Sequence, residues 1–366
     1  MYCPSLQNFQ NDVLAFTARL AEFEKKVEPL SYPDDENLLT ELEEIMSFGL
    51  ESCHRINHEI KADAELLKET QTNFREATAT WCNQSWIMNR ARTKPRGFPG
   101  DYQMLMAIYD GVPLARGLGG YLDRWCLQMT LGRAVNSRLE LAKTFLLAEL
   151  SQKTKAMKVL DIASGPGREF RSMHSQNLAC EVEISCLDTD EGALEYVRRH
   201  VQKQTPANFT FHFSSHNAFR LRSPEKVIKL FGRQDIIYSV GLADYIPDRL
   251  LVPMLASWKD ALNPEGCVYV AFKDKNYYDE VEYQWLMDWS FVQRDEQECR
   301  NLLEQAGYDM NNVEVGRDQT GVIITFLARP AHMLQNRFSQ MKHQPSPPIR
   351  AANSSVKRTS VDSSSN

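Results

Sequence analysis

Apolar residues recur at helical spacing through the first 90 positions of the chain. Phe9, Val13, Phe16, Leu20 and Phe23 share one face over 6–27, and Leu39, Leu42, Ile45, Met46 and Leu50 share one over 38–67. That spacing predicts two long helices packed stripe against stripe. Ser31, Tyr32, Pro33, Asp34 and Asp35 between them read as a turn. A further helix pair is expected over 121–131 and 134–150. At 158 the period changes. Short apolar runs near 158–162, 182–187, 209–213, 235–240, 267–272, 312–316 and 321–328 now alternate with helical runs near 167–175, 190–203, 248–261 and 295–306. Alternation of this kind builds a mostly parallel sheet, and the last two runs, joined by Gly316 to Gly321, read as an antiparallel hairpin.

The fold class expected is therefore α/β: a Rossmann-like, seven-stranded, mostly parallel sheet ending in an antiparallel hairpin, preceded by an all-helical N-terminal domain. The expected boundaries are 1–150 for the helical, cap-like domain, 151–330 for the α/β domain, and 331–366 for a Ser/Pro-rich tail too polar to bury a core and expected to be disordered. Within the helical part, 92–111 breaks the pattern. Pro95, Gly97, Pro99 and Gly100 make a defined loop carrying Lys94, Arg96, Phe98 and Tyr102, which reads equally as a helix connection or as the wall of a pocket.

Composition changes this picture little. With 43% hydrophobic and 25% charged residues the chain is that of an ordinary globular protein. A net charge of −6 argues against a polyanion-binding surface, so no nucleic-acid partner is expected. The start, Met1-Tyr2-Cys3-Pro4, lacks a basic stretch followed by an apolar run, and no apolar run approaches the roughly 18 residues a spanning helix needs, so neither signal peptide nor membrane span is expected. Eight cysteines without a Cys-x-x-Cys pair suggest buried free thiols in a cytoplasmic protein. His54 and His58 share a helix face, but Arg55 follows where a zinc motif has Glu and no third ligand stands out, so no metal is expected.

The candidate chemistry begins at Lys158-Val-Leu-Asp161-Ile-Ala-Ser-Gly165-Pro-Gly167-Arg-Glu169: a buried strand, an acid at its end, and a glycine turn opening a helix. About twenty residues on, a second apolar strand, Ile184 to Leu187, ends in Asp188, which completes the grammar of a nucleoside-binding βαβ unit. A phosphate-binding loop would need a lysine after the second glycine, where Arg168 and Glu169 stand. A dinucleotide site would need a third glycine, which is absent. Asp161 would repel a pyrophosphate and suits a ligand carrying an ammonium or sulfonium.

These features, together with three later ones, resemble class I S-adenosylmethionine-dependent methyltransferases over about 155–330. Asp161, Ala163, Gly165 and Gly167 match the family's acid-and-glycine turn, with Ala163 in place of its first glycine. The resemblance implies that Asp188, with neighbouring Thr189, binds the ribose; that Asn217 and Ala218 lie beside adenine; and that Ser239 to Gly241 close strand four against the cofactor. Leu262-Asn-Pro-Glu-Gly266 matches the segment before strand five. Arg138, before strand one, could reach the cofactor's carboxylate. The cofactor so implied is S-adenosyl-L-methionine. The run Lys94 to Tyr102, the Gly165-Pro-Gly-Arg-Glu169 variant and Ser239 to Tyr245 are further similar to bacterial enzymes that methyl-esterify 3-hydroxy fatty acids. This implies a small-molecule acceptor methylated on a carboxylate or hydroxyl oxygen, with Arg96 or Lys94 orienting a carboxylate. A hydroxyl acceptor would want a base, for which Asp244, Tyr245 and Tyr109 are the candidates. Two alternatives stay open: other chemistry of the same cofactor, such as cyclisation or transfer of its aminobutyrate arm, and a non-catalytic cofactor-binding scaffold. The sequence leaves room for a homodimer and does not name the acceptor.

Overall fold

The computed structural model describes residues 4–171, 173 and 178–329. The expected tail, Cys3 and part of the expected helix at 167–175 lie outside them. The helical region runs α1 (Pro4–Lys26), α2 (Glu36–Ile60), α3 (Ala64–Ala77), α4 (Ala79–Cys82), α5 (Trp86–Thr93), α6 (Tyr102–Asp110), α7 (Gly117–Gln128) and α8 (Thr130–Leu150). Short polar side chains start many of these. Asp35, Asp63, Ser85 and Asp101 each accept hydrogen bonds from the otherwise unpaired amides of the turn they open. Asp63 explains why the single run expected over 38–67 is two helices: its carboxylate caps Leu66 and restarts the chain in a new direction. The 92–111 segment resolves into the end of α5, a loop over 94–101, and α6.

Phe16, Leu20, Phe23, Leu42 and Met46 form the centre of the helical core, as their spacing requires. That core also contains residues from far along the chain. Helix α13 (Glu280–Met287) follows the fifth strand, and its Trp285 packs edge-on against Phe9 and Phe74 at ring distances of 5.3 and 5.7 Å. Polar bonds reinforce the insertion. Trp285 Nε1 donates to Asn57 Oδ1, Arg75 to the Gln284 carbonyl and Arg92 to the Leu286 carbonyl. The periodicity of this stretch gave no helix, because Glu280, Glu282 and Gln284 alternate with Val281, Tyr283 and Trp285, a two-residue period that is not helical. Helix α11 (Pro224–Phe231) is a second helix that the sequence reading did not place.

The sheet comprises β1 (Met157–Ile162), β2 (Val182–Asp188), β3 (Phe209–Ser215), β4 (Gln234–Ser239), β5 (Leu262–Lys273), β6 (Val313–Arg317) and β7 (Ile323–Ala328). Their order is β3-β2-β1-β4-β5-β7-β6, the first five parallel and β7 antiparallel to both of its neighbours. This is the expected mostly parallel sheet with a terminal hairpin. Alternate strand residues face opposite layers. Leu160, Ile162, Val268 and Val270 meet α11 (Pro224–Phe231), α12 (Asp248–Asp260) and α14 (Glu296–Gln305) around Trp258. Val159, Ile184, Tyr238 and Tyr269 meet α8, α9 (Arg168–Arg171) and α10 (Glu191–Tyr196) on the other side, where Phe145 stacks on Tyr269 at 4.1 Å. Strand order reverses between β1 and β4, and a crevice forms at the carboxyl ends there. No helix among the described residues is long and apolar enough to cross a membrane.

One carboxylate ties the helical region together. Asp123 on α7 is fully buried and accepts four hydrogen bonds: from Ser85 Oγ at 2.6 Å, from the amides of Ile87 and Leu114 at 3.0 Å, and from that of Ala115 at 2.9 Å. Asp123→Ala strands those donors away from water, so denaturant unfolding is expected to show a loss of about 3 kcal/mol or more; a loss under about 1 kcal/mol contradicts this role. A second expectation concerns Glu282 on α13, whose carboxyl is pushed up to about 7 by burial and then by the nearby Asp279 charge. Between an unfolded value near 4.5 and 7 the folded state holds the extra proton, so stability falls as pH rises through that window. Glu282→Gln should therefore stabilise the protein at pH 8 by about 2 kcal/mol, allowing for partial solvent screening, and the gain should vanish towards pH 4.5. A gain independent of pH contradicts the assignment.

Candidate active site

The chain leaves β1 through three residues in the left-handed region: Ala163 (φ 59°), Gly165 (φ 52°) and Gly167 (φ 56°). Glycine meets this conformation without cost; at Ala163 it stores about 1 kcal/mol. The turn is held from β2. Gly165 N–H donates to Asp188 Oδ2 at 2.9 Å, Asp190 N–H donates to Asp188 Oδ1 at 2.9 Å, and Ser164 N–H donates to the Leu187 carbonyl at 3.1 Å. Each Asp188 oxygen thus keeps acceptor capacity that no protein group uses. Burial pushes the Asp188 carboxyl up, and the amides of Asp190 and Gly165 pull it back.

Asp161 is placed differently from the sequence expectation. Strand alternation points it with Val159 towards the α8–α9 layer, beneath the turn rather than into the crevice. It is buried beside Glu169, itself hydrogen-bonded by Tyr238 Oη at 2.8 Å. Burial first, then repulsion from Glu169, pushes the Asp161 carboxyl well above the usual range.

A cavity of about 270 Å³ opens at the carboxyl ends of β1, β2, β4 and β5. Ala163, Gly165, Asp188, Thr189 and Asp190 form its wall on the turn, with Phe219 beside them. Phe98, Gly100, Tyr102 and Leu105 of the helical region close it opposite. Arg138 on α8, Gly241, Tyr245, Lys273 and Trp289 complete it. The apposition is close. A Cβ on Gly100 would lie 2.9 Å from Tyr245 Oη and 3.0 Å from the Trp289 ring, so only glycine lets the loop approach.

Two cations face this space. Lys273 ends β5, is 3% exposed, and pairs with Asp244 Oδ2 at 2.6 Å while its amide donates to Asp244 Oδ1 at 3.0 Å. Its ammonium lies 4.2 Å from the centre of the Phe291 ring. Burial lowers the Lys273 ammonium from its ordinary value, Asp244 opposes that shift, and the charge of Arg138 adds to it. Arg138 is 4% exposed, and its Nε finds no hydrogen-bond partner among the described residues. Its guanidinium lies about one van der Waals contact, 3.5 Å, from where a Cβ on Gly241 would be.

Of the residues singled out from sequence, Arg138, Ala163, Gly165, Asp188, Thr189, Gly241 and Tyr245 line the cavity. The others are engaged elsewhere. Gly167 packs its α-carbon against Val197, and Ala218 is core. Asn217 caps the short turn Ala218–Arg220 through Phe219 N–H, and Ser239 Oγ donates to the Ile162 carbonyl, tying β4 to β1. Asp244 is committed to Lys273. Tyr109 lies beside Arg138 without lining the space. Arg96 pairs with Asp190 and Lys94 with Asp288, so neither cation of the loop faces the cavity. Sequence reasoning missed Lys273, Trp289 and Phe219. Lys273 did carry a signal, a cation ending an unbroken apolar strand at the ligand-binding edge; Trp289 carried none.

A family model described as a methyltransferase domain matches residues 159–266, the segment from β1 into β5. Among solved structures, a possible exported protein from Bordetella parapertussis aligns with a TM-score of 0.51 at 18% identity, covering 63% of this chain and 79% of that one. Magnesium protoporphyrin IX methyltransferase from Synechocystis PCC 6803, with bound S-adenosylhomocysteine, aligns at 0.41 and 10% identity over 55% of this chain and 87% of that one. Phosphoethanolamine N-methyltransferase 2 from Haemonchus contortus, in complex with S-adenosyl-L-methionine, aligns at 0.37 and 14% identity over 52% of each. No curated protein sequence matches. Residues 159–266 thus match a methyltransferase domain, and the sheet that carries them is Rossmann-like.

The geometry around Asp188 gives a direct expectation. Asp188→Ala removes two cavity-facing acceptors and frees the Gly165 amide. Calorimetric titration with S-adenosylhomocysteine should show affinity weakened by about 1.5–3 kcal/mol, the range for hydrogen bonds to a charged group. Unchanged affinity contradicts a ribose site at Asp188.

Proposed function

We propose that the cavity holds S-adenosylmethionine along the β1–β2 turn and that the enzyme methylates a carboxylate oxygen of a small, largely apolar molecule. The observation carrying this reading is the junction, in one cavity, of acceptors on the turn with two buried cations set against an aromatic wall. The residues fit the cofactor. The unused acceptor capacity of Asp188 suits two ribose hydroxyls, Thr189 and Phe219 suit the nucleoside's faces, and the unpartnered Arg138 N–H suits the cofactor's carboxylate.

The bound cofactor supplies an electrophilic methyl on sulfur: a new O–CH₃ bond forms as the S–CH₃ bond breaks, its electron pair staying on sulfur, and with an ionised acceptor no proton moves. The chain's own groups then have three tasks. Lys273 holds the acceptor anion, with Asp244 keeping the ammonium charged in a buried place. Phe98, Trp289 and Tyr245 enclose the apolar part of the acceptor and exclude water. Gly100 lets the enclosing loop come close. The base candidates suit a hydroxyl acceptor poorly. Asp244 is bonded to Lys273 twice over. Tyr245 Oη accepts from Trp289 Nε1 at 2.8 Å, and burial raises its hydroxyl far above the ordinary value, so it keeps its proton. One observation favours a second reading: the lowered Lys273 would let a neutral amine serve as base for a hydroxyl. The buried free thiols of the described cysteines accord with the cytoplasmic setting we infer.

Two variants separate the readings. In an assay of S-adenosylhomocysteine formation with medium-chain monocarboxylates, 3-hydroxy fatty acids included, Lys273→Met should lower kcat/KM by about 10- to 100-fold. Lys273→Arg should recover part of that, because it keeps the charge, whereas a base role predicts that both variants fail alike. Methylthioadenosine from cofactor alone would indicate cyclisation or arm transfer and overturn methyl transfer.

A further inference from the structure

We propose that Arg96 is a positioning residue that latches the 94–101 loop onto the ribose side of the turn and so governs release of the spent cofactor; this rests on the cofactor placement proposed above. Arg96 does not line the cavity, but the residues on either side of its contact do. It lies two positions before Phe98 and four before Gly100, both in the wall, and its Nη1 pairs at 2.9 Å with Oδ1 of Asp190, two residues beyond Asp188. The guanidinium lies 4.8 Å from the centre of the Tyr102 ring, and that ring in turn contacts Tyr196 of α10 at 5.9 Å. The loop that closes the acceptor side and the turn that carries the ribose acceptors are thus joined through one side chain. Its exposure suits a pair that can open: the Arg96 side chain is 31% exposed and that of Asp190 is 7% exposed.

An independent feature of the chain points the same way. Gly192, near the start of α10, does not have a left-handed backbone, and helix propensity there favours alanine. Its missing Cβ has a spatial reason instead: it would lie 2.2 Å from Arg96 Nη2 and 2.9 Å from Cζ. The glycine leaves the berth that the guanidinium fills. A methyl group placed there should eject Arg96 while leaving α10 at least as well formed as before.

That gives a test in which folding and latching separate. Bound, labelled S-adenosylhomocysteine is chased with excess unlabelled ligand from the full chain and from Arg96→Gln, Arg96→Lys and Gly192→Ala. Arg96→Gln and Gly192→Ala should each release it about tenfold faster, the equivalent of one charge-assisted hydrogen bond, with Arg96→Lys in between. The thermal midpoint of Gly192→Ala should not fall. Release at the wild-type rate in both variants overturns the latch, even if Arg96→Gln unfolds earlier, since a plain structural brace moves the midpoint alone. If the wild-type chain retains no S-adenosylhomocysteine, the cofactor placement itself fails, which is a different result from binding with unaltered release.

Discussion

The hydrogen bond from the Gly165 amide to Asp188 is the constraint on which the site depends. It joins the ends of two parallel strands and holds the turn between β1 and α9 in a conformation that L-residues avoid. The bond from the Ser164 amide to the Leu187 carbonyl holds the same turn beside it. The same carboxylate is the group with acceptor capacity to spare, so the fold's anchor and a ligand-facing group are one side chain. A variant at Asp188 cannot change one role without the other.

Across the cavity the chemistry changes sign. Acceptors line the turn, whereas Lys273 and Arg138 bring positive charge to the side facing the aromatic wall. A buried cation is costly unless something compensates it. Lys273 has Asp244, held by both its ammonium and its amide. Arg138 has Tyr109 and Glu169 nearby but leaves an N–H unsatisfied. The protein bears the cost of desolvating these groups in advance.

How far the site was legible follows from where each signal originates. Strand, glycine turn, strand and acid are local, and the elements they specify formed as the periodicity required. Asp161 shows the limit of a motif without geometry. Its position in the sequence is that of a ligand-facing acid, but strand alternation turns it inward beside Glu169 and Tyr238. Arg96 and Lys94 were legible as functional cations of a loop, not as cations already paired with Asp190 and Asp288, because those partners lie 94 and 194 positions away. Lys273 was missed, one position beyond the run read as strand five (267–272), and nothing local reveals that Asp244 stabilises it. Helix α13 was invisible because Glu280, Glu282 and Gln284 alternate with apolar residues, so its local pattern has a period of two rather than 3.6.

That insertion of residues 280–291 into the helical core bears on how the chain assembles during synthesis. The core built by α1, α2 and α3 lacks Trp285, Met287 and Trp289 until nearly the whole α/β portion has left the ribosome. Contacts spanning more than 200 positions must wait, since loop closure has to precede any gain from them. The helical region, although first in sequence, is therefore completed only after the five parallel strands have been made, and during that interval the faces destined for Trp285 stay uncovered.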